Sequence, residues 1–164
     1  MRILGIDPGL QLCGYGVIDF DLRHPRLIDG GVIRMKPTQS VASRLVEIER
    51  ELEAILIEHK PTTVAVEQLY AHYAHPRTAI IMGHARGVIL LVAQRRGLAV
   101  HEYAANRIKK NLTGNGHAKK EQMQRAIQAL WQLPAPPDPP DVADALAVAL
   151  CCGRALAGPV RGKP

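Results

Sequence analysis

Apolar and polar residues follow one another in short blocks at the start of the chain. Segments rich in Ile, Leu and Val occupy residues 2–7, 13–20 and 26–35, and turn-forming clusters separate them at Asp7-Pro8-Gly9 and Arg23-His24-Pro25. Short apolar segments bounded by Gly, Pro and charged residues are typical of β-strands. The pattern therefore predicts three strands joined by hairpins.

The pattern changes to a helical period at Ser40. From there to Lys60, apolar residues recur at intervals of three or four positions with glutamates mostly between them, which predicts an amphipathic helix. An apolar run at 62–67 predicts a strand buried on both faces. The remaining pattern predicts a helix at 77–96, a strand at 98–103 and two further helices at 118–132 and 140–156. A basic helical turn is expected directly after the strand at 98–103. This order favours an α/β fold with a five-stranded mixed β-sheet flanked by α-helices.

Length and composition fit one globular domain. The chain has 164 residues, of which 47% are apolar and 22% charged, so we expect a single domain over residues 1–157 and a short flexible C-terminal tail over 158–164. No apolar run approaches the roughly 18 residues that a membrane span needs, and the N-terminus lacks a signal-peptide pattern. Three cysteines are expected to be reduced core residues, namely Cys13, Cys151 and Cys152. We therefore expect a soluble, cytoplasmic protein with no membrane partner.

Positive charge is concentrated in the second part of the chain. Residues 1–60 have eight Lys and Arg against nine Asp and Glu, whereas residues 61–164 have thirteen against six. One dense basic stretch is opposed only by Glu121, and its members are Arg107, Lys109, Lys110, Lys119, Lys120 and Arg125. Such a stretch could follow a phosphate backbone, or it could be an ordinary solvated surface.

Four acidic residues fall at the ends of predicted elements. Asp7 ends the first strand and Glu67 ends the fourth. Asp141 and Asp144 lie three residues apart at the start of the last helix. Each has an ordinary interpretation, as an acid that opens a turn, lies exposed at a strand end or stabilises a helix N-terminus. If strands one and four are parallel neighbours, however, all four side chains meet at one end of the sheet.

Converging carboxylates of this kind favour metal chemistry, because they would repel one another unless divalent cations lay between them. Oxygen ligands select Mg²⁺ or Mn²⁺, and two such ions about 3.5–4 Å apart support hydrolysis of a phosphodiester. Other chemistries have less support. The chain lacks Walker A, GxGxxG and nucleophile-elbow motifs, Gly114-Asn115-Gly116 is too short for a phosphate cradle, and His72 and His75 lack a zinc-ligand spacing.

Six blocks of sequence resemble one known family. Between residues 3 and 152 they are, in order, Gly5-Ile6-Asp7-Pro8-Gly9, Gly14-Tyr15-Gly16-Val17-Ile18, Val66-Glu67-Gln68, Gly83-His84-Ala85-Arg86-Gly87-Val88, Glu102-Tyr103-Ala104-Ala105 and Asp141-Val142-Ala143-Asp144-Ala145-Leu146-Ala147. Together they resemble the RuvC family of bacterial Holliday-junction resolvases. The first block alone is unspecific, since actin-like sugar kinases and other ribonuclease H-like proteins share it.

The resemblance implies a ribonuclease H-like fold and a homodimer. It also implies a structure-selective endonuclease of DNA recombination and repair, which nicks two opposed strands of a four-way DNA junction symmetrically and leaves ligatable ends. Two Mg²⁺ ions per active site, with Mn²⁺ as the alternative, would serve the reaction, and the RuvA-RuvB branch-migration complex would be a partner. The positions that carry over as metal-binding catalytic acids are Asp7, Glu67, Asp141 and Asp144. Some relatives resemble this pattern with His in place of Asp141, so direct ligation by that residue stays open.

The resemblance also implies residues for DNA binding and dimerisation. Tyr70 matches an aromatic position that stacks on a base at the opened junction, with packing inside its loop as the alternative. Lys109 and Lys120 match basic positions that resemble phosphate contacts, and the helpers beside them are Arg107, Lys110 and Lys119. Gly83 and Gly87, four apart on the second long helix, would lie on the dimer face.

Two departures from the family pattern leave questions open. The Pro-rich run 135–140 makes the start of the last helix uncertain from sequence and leaves open whether Asp138 approaches the metals. The loop with His72 and His75 could make DNA contacts depend on pH. The competing functions are a ribonuclease H-like nuclease on structured RNA and a protein that binds junctions without cutting them. An actin-like kinase is disfavoured by chain length.

Overall fold

Five strands and five helices form the described part of the chain. The computed structural model describes residues 1–69 and 76–158, with only the backbone described at 76–78. In chain order the elements are β1 Arg2–Asp7, β2 Leu12–Asp19, β3 Arg26–Arg34, α1 Val41–His59, β4 Thr63–Glu67, α2 Pro76–Arg95, β5 Ala99–Tyr103, α3 Ala105–Thr113, α4 Lys120–Trp131 and α5 Pro140–Leu156. The predicted sequence of strands and helices is confirmed, and most of the boundaries fall within two residues of those expected.

The strands form one mixed sheet in the order β3-β2-β1-β4-β5. β1, β2 and β3 pair antiparallel through the two predicted hairpins. β4 pairs parallel with β1, and β5 pairs parallel with β4. The predicted parallel contact between strands one and four is therefore confirmed, and β1 and β4 end on the same side of the sheet.

Helices cover both faces of the sheet. Buried residues of α1 and α2 pack with Leu4, Ile6 and Val66 on one face, whereas α3, α4 and α5 pack with Ile3, Ile18 and other residues on the opposite face. α5 lies deepest, because every residue from Val142 to Gly153 except Asp144 is buried. The two faces follow from the alternation of side chains along each strand.

Two glycines allow α5 to lie directly on the strands. A Cβ at Gly5 would stand 2.2 Å from the carbonyl oxygen of Ala145, and a Cβ at Gly14 would stand 2.2 Å from that of Asp141. These separations are far below van der Waals contact, so any side chain there would push the helix away. Glycine at both positions thus determines how closely the start of α5 approaches the ends of β1 and β2.

Local signals explain the element boundaries. Ser40 caps α1, since its side chain accepts a hydrogen bond from the Ser43 N–H at 3.1 Å. The basic turn predicted after β5 is longer than expected: α3 has nine residues and buries Ile108 in the core. All three cysteines are free and buried, as predicted.

The described helices have no membrane-crossing candidate: none of them is both long and apolar enough to span a bilayer. The division into a domain over 1–157 and a tail over 158–164 stays a prediction, because only Gly158 of that tail is described.

Candidate active site

Asp7 and Glu67 lie side by side at the carboxyl ends of two neighbouring strands. Ile6 and Val66 are partners in the parallel β1–β4 ladder, so the next residue of each strand carries its carboxylate out at the same end of the sheet. The carboxyl ends of parallel strands are where α/β proteins commonly place their ligand sites. The structure thus brings these two acids together through the strand pairing expected from the sequence.

Asp141 and Asp144 reach the same place from the first turns of α5. Pro140 occupies the first helical position, where its missing N–H removes no hydrogen bond. Gly14 is the ladder partner of Asp7 and also lies under the backbone of Asp141. The start of α5 is therefore held against the end of β1.

The four acids line one pocket of about 320 Å³, together with two lysines. Lys109 comes from α3 and Lys120 from the start of α4. The rest of the wall is mostly apolar and consists of Pro8, Gly9, Leu12, Met82, Ala105, Ile108 and Met123. Each acid remains partly exposed to solvent, so the carboxylates are accessible from the pocket.

Burial and mutual repulsion raise the pKa values of the pocket acids. The pKa of Asp7 lies well above its usual range, because the carboxyl is buried and because Glu67 and Asp144 face it. Burial and the charge of Asp144 raise the pKa of Glu67 to about 7. Burial also raises the pKa of Asp144. Lys109 and Lys120 oppose these shifts at Glu67 and Asp144, so the lysines belong electrostatically to the pocket.

The pocket acids have no protein partners within the described ranges. No Lys, Arg or His nitrogen there comes within the 4.0 Å that defines an ion pair with any of the four carboxylates. None of the side-chain hydrogen bonds in the described ranges involves these four carboxylates; those that involve carboxylates go to other acids. Buried carboxylates without partners are costly unless they coordinate a cation.

The donor set fits a hard divalent cation in chemistry and charge, because it consists of carboxylate oxygens alone. As the side chains stand, no three His, Cys, Asp or Glu residues in the described ranges form a group that could hold a metal ion. The fit is therefore one of donor type and unbalanced charge, not of preformed coordination geometry.

The predicted DNA-binding residues do not share one surface. Lys109 and Lys120 lie in the acidic pocket. Arg107 and Lys110, on the other flank of α3, line a separate cleft. Lys119 is exposed and precedes α4, and it lines neither cavity. Tyr70, like His72 and His75, falls outside the described residues, so its expected contact with a base stays a prediction.

The two glycines expected at a dimer face lie exposed on α2. A Cβ added at Gly83 or Gly87 would meet no described atom within 4 Å. Ile80 and Leu91 lie on the same helix face and are 62% and 47% exposed. This face thus has small residues in its middle and apolar side chains at both ends.

Sequence reasoning missed several residues of the pocket. Met82 of α2 and Met123 of α4 form part of its wall, and no motif marked them. The role of Gly14 was also missed: the glycine stood in a matched block, but only the structure shows that it lies under Asp141. Asp138, left open from sequence, lines a different cavity beside β3 and does not join the acids.

Comparison with known proteins agrees with this geometry. The family model described as "Crossover junction endodeoxyribonuclease RuvC" matches residues 3–152. A protein of that name from Heliobacterium modesticaldum is 47% identical over 95% of this chain and 96% of its own length. Another of the same name, from Rhodopirellula baltica, is 46% identical over 91% of this chain and 84% of its own length.

Solved structures show the same fold. "T. thermophilus RuvC in complex with Holliday junction substrate" superposes with a TM-score of 0.85 at 33% identity and covers 92% of each chain. A yeast mitochondrial Holliday junction resolvase superposes with a TM-score of 0.70 at 13% identity, covering 95% of this chain and 79% of its own, which supports the fold alone. The expected ribonuclease H-like fold is confirmed, and the chain belongs to the RuvC family of crossover junction endodeoxyribonucleases.

Proposed function

We propose that this chain is a Holliday-junction resolvase, which hydrolyses phosphodiesters in two opposed strands of a four-way DNA junction and leaves ligatable nicks for recombination and repair. One observation carries the proposal: four carboxylates that have no partner among the described side chains line a pocket with two lysines, in a chain that matches the family over residues 3–152. An acidic centre with a basic rim suits a reaction on a phosphate backbone.

The acidic pocket would hold two Mg²⁺ ions, or Mn²⁺ in their place. The ligands would come from Asp7, Glu67, Asp141 and Asp144. Asp141 would contact a metal ion either directly or indirectly. When bound, such ions activate water and stabilise the leaving oxygen of a phosphodiester. The donor chemistry and the raised pKa values of Asp7, Glu67 and Asp144 support this assignment.

The lysines of the pocket would hold the phosphate that is cut. Lys109 and Lys120 stand on two different helices, so they approach the acids from separate elements. An ammonium group there offsets the negative charge of a phosphate while leaving the carboxylates free for cations. Tyr70, three residues after Glu67, would stack on a base near the nick.

A homodimer would account for paired nicks. Two opposed strands of a junction are equivalent, so two copies of one active site related by a twofold axis would cut both. The exposed face of α2, made by Ile80, Gly83, Gly87 and Leu91, is the surface we assign to the second copy. The same helix also lines the pocket through Met82. In the cytoplasm, the RuvA-RuvB branch-migration complex would be the further partner.

Cleavage of a synthetic four-way junction with mapped nicks tests the proposed function. We expect Mg²⁺- or Mn²⁺-dependent nicks at symmetric positions in two opposed strands, which DNA ligase then seals. Linear duplex and RNA stem-loops of matched length serve as controls and should remain intact. Cleavage of the RNA would favour the structured-RNA nuclease, and tight junction binding without any metal-dependent nick would favour a non-cutting junction-binding protein.

A further inference from the structure

Helix α3 depends on other elements to hold its position. It has nine residues, and Ala104 before it gives its first turn no side-chain hydrogen bond. Isolated helices of fewer than about 12–15 residues are only marginally stable in water. Of the nine residues, all of which the structure describes, only Ile108 is buried, and Leu112 packs partly against the same core. Contacts at the other end of α3 therefore matter for where the helix lies.

Arg154, in the last turn of α5, makes such a contact. Its terminal nitrogen Nη1 donates to the backbone carbonyl of Asn111 at 2.5 Å and to the side-chain oxygen of the same residue at 3.0 Å. Asn111 lies in the last turn of α3, where carbonyl oxygens lack partners within the helix and carry the negative end of its dipole. A guanidinium therefore suits this position in charge as well as in hydrogen bonding.

The other end of α5 carries two acids of the pocket. Asp141 and Asp144 lie in its first turns, and Arg154 lies about 15 Å beyond Asp144 along the helix axis. All the residues from 145 to 153 are buried, so the helix between these two points is fixed against the sheet. α5 thus connects the acids, through Arg154, to the last turn of α3.

Lys109 is the charged group that α3 brings to the pocket. It lines the pocket together with the acids, whereas Arg154 does not. Burial raises the pKa of Glu67, and the positive charge of Lys109 opposes that rise. The Thr113 hydroxyl donates to the Lys109 carbonyl at 2.9 Å, so the backbone of Lys109 is tied to the turn that Arg154 contacts.

From these contacts we infer that Arg154 is a positioning residue for the proposed reaction: it holds α3 against α5 and thereby sets where the Lys109 ammonium lies relative to Asp144. The inference rests on the proposed function, since it takes Lys109 to bind the phosphate that is cut. The family match ends at residue 152, so Arg154 lies just beyond it and the resemblance implies no role for this residue.

Amide hydrogen exchange of the metal-free protein tests whether Arg154 holds α3. Arg154→Met removes the donor and keeps an unbranched side chain. Arg95→Met is the matched control, because Arg95 is also a last-turn arginine that bridges two helices, through its pair with Glu49 of α1. We expect the amides of residues 109–113 to exchange at least about tenfold faster in Arg154→Met, because a hydrogen bond from a charged donor is lost. They should keep the wild-type rate in Arg95→Met, and the strand amides of β1 and β4 should change little in either variant.

A double-mutant cycle tests whether Arg154 acts through Lys109. Single-turnover cleavage of a four-way junction in Mg²⁺, with enzyme in saturating excess, is measured for wild type, Arg154→Met, Lys109→Met and the double variant. We expect Arg154→Met to slow cleavage by about tenfold in the wild-type background, because small displacements of a positioning group are costly. In the Lys109→Met background it should slow cleavage by less than about twofold, since no ammonium is left to position.

The conservative variant Arg154→Lys keeps a cationic donor near the Asn111 carbonyl. We expect it to recover part of the lost cleavage rate and part of the lost exchange protection of α3. Arg95→Met should cleave at nearly the wild-type rate, which separates the effect of Arg154 from the loss of any arginine between two helices.

Two results overturn the inference. One is exchange of the α3 amides in Arg154→Met that is no faster than in Arg95→Met. The other is an equal slowing of cleavage by Arg154→Met with and without Lys109, which would show that Arg154 does not act through the lysine. A wild-type protein that binds the junction but never nicks it would overturn the proposed function instead, and the exchange comparison would still decide whether Arg154 holds α3.

Discussion

The two ends of β1 show carboxylates in opposite situations. At its start, Arg2 makes a bidentate pair with Asp19, at 2.8 and 2.9 Å, and Arg26 adds a third hydrogen bond at 3.2 Å. These arginines lower the pKa of Asp19 to about 2. At its end, about 16 Å away for a strand of this length, Asp7 faces other carboxylates and its pKa is raised.

The difference distinguishes a structural acid from the acids that we propose to be functional. Asp19 is ionised and satisfied within the fold, so it needs no further ligand. The acids around Asp7 repel one another and lack protein partners in the described ranges, so the folded chain bears a cost that a bound cation would remove. The clustering of unfavourable charge at one end of a sheet is thus itself the functional signal.

Replacing the acid at each end of β1 should separate the two situations most strongly. We expect Asp7→Asn to slow junction nicking by at least about 100-fold, because it removes a charged metal ligand, while junction binding is largely kept. Asp19→Asn, the matched control, should nick at nearly the wild-type rate. Single-turnover cleavage and anisotropy measure both. Equal losses of binding and cleavage in Asp7→Asn would contradict the assignment.

The contact of α5 with the sheet offers the next largest effect. Gly14→Ala puts a Cβ against the carbonyl oxygen of Asp141, so we expect a loss of about 1–3 kcal/mol in the free energy of unfolding, with slower nicking as Asp141 is displaced. Gly30→Ala is the control, because its Cβ would meet the end of the Val142 side chain at 3.3 Å and other atoms no nearer than 3.6 Å. Urea unfolding and cleavage rates measure the two variants. Equal stability in both would show that Gly14 does not set the position of α5.

The acidic pocket and the Asp19 end of β1 should also respond oppositely to pH in the presence of a chelator. A carboxyl with a raised pKa in the fold costs stability as pH rises above its unfolded value, so Glu67, with a pKa of about 7, destabilises the metal-free protein progressively from about pH 4.5 to 7. Glu67→Gln should reduce the fall in the free energy of unfolding over this pH range by about 1–2 kcal/mol. Urea unfolding at successive pH values in EDTA measures it. A decline unchanged in the variant would show that Glu67 is not its source.

The smallest effect is expected at the start of β1, where Asp19 is paired with Arg2. Asp19 has a lowered pKa, so its contribution is complete above its unfolded value near pH 4 and is lost as pH falls toward about 2. The Arg2 and Asp19 side chains are 35% and 26% exposed, and partly exposed pairs are worth about 0.2–1 kcal/mol. We expect Asp19→Asn to lower stability at pH 7 by that amount, and we expect this difference from wild type to shrink as pH falls through about 2. If Mg²⁺ restored the stability that Asp19→Asn loses at pH 7, a cation would bind at the Asp19 end of β1, which would contradict the account.

Much of this contrast was predictable because it follows from local pattern and chain order. Strand ends, a helix start with Pro140, and a parallel β1–β4 pairing are enough to bring Asp7, Glu67, Asp141 and Asp144 together. The family resemblance added Lys109 and Lys120 to the same site. Each of these predictions depends on residues close to one another in sequence or on one topological rule.

The parts that escaped prediction depend on contacts between distant elements. Nothing near Gly14 in sequence shows that α5 lies on it, and Met82 and Met123 reach the pocket only because α2 and α4 pack on opposite faces. Arg107 and Lys110 lie on a different side of α3 from Lys109. To predict this, one must know in which direction each side chain of the helix points, and a run of basic residues in the sequence does not show it.

Anomalous diffraction of Mn²⁺ would show whether the clustered acids bind the catalytic cations. Crystals of the wild-type chain would be grown with Mn²⁺ and a four-way junction made uncleavable at the nick position. We predict two anomalous peaks about 3.5–4 Å apart among Asp7, Glu67, Asp141 and Asp144, beside a DNA phosphate. Junction DNA seated over the pocket with no anomalous peak among these acids would contradict the metal assignment.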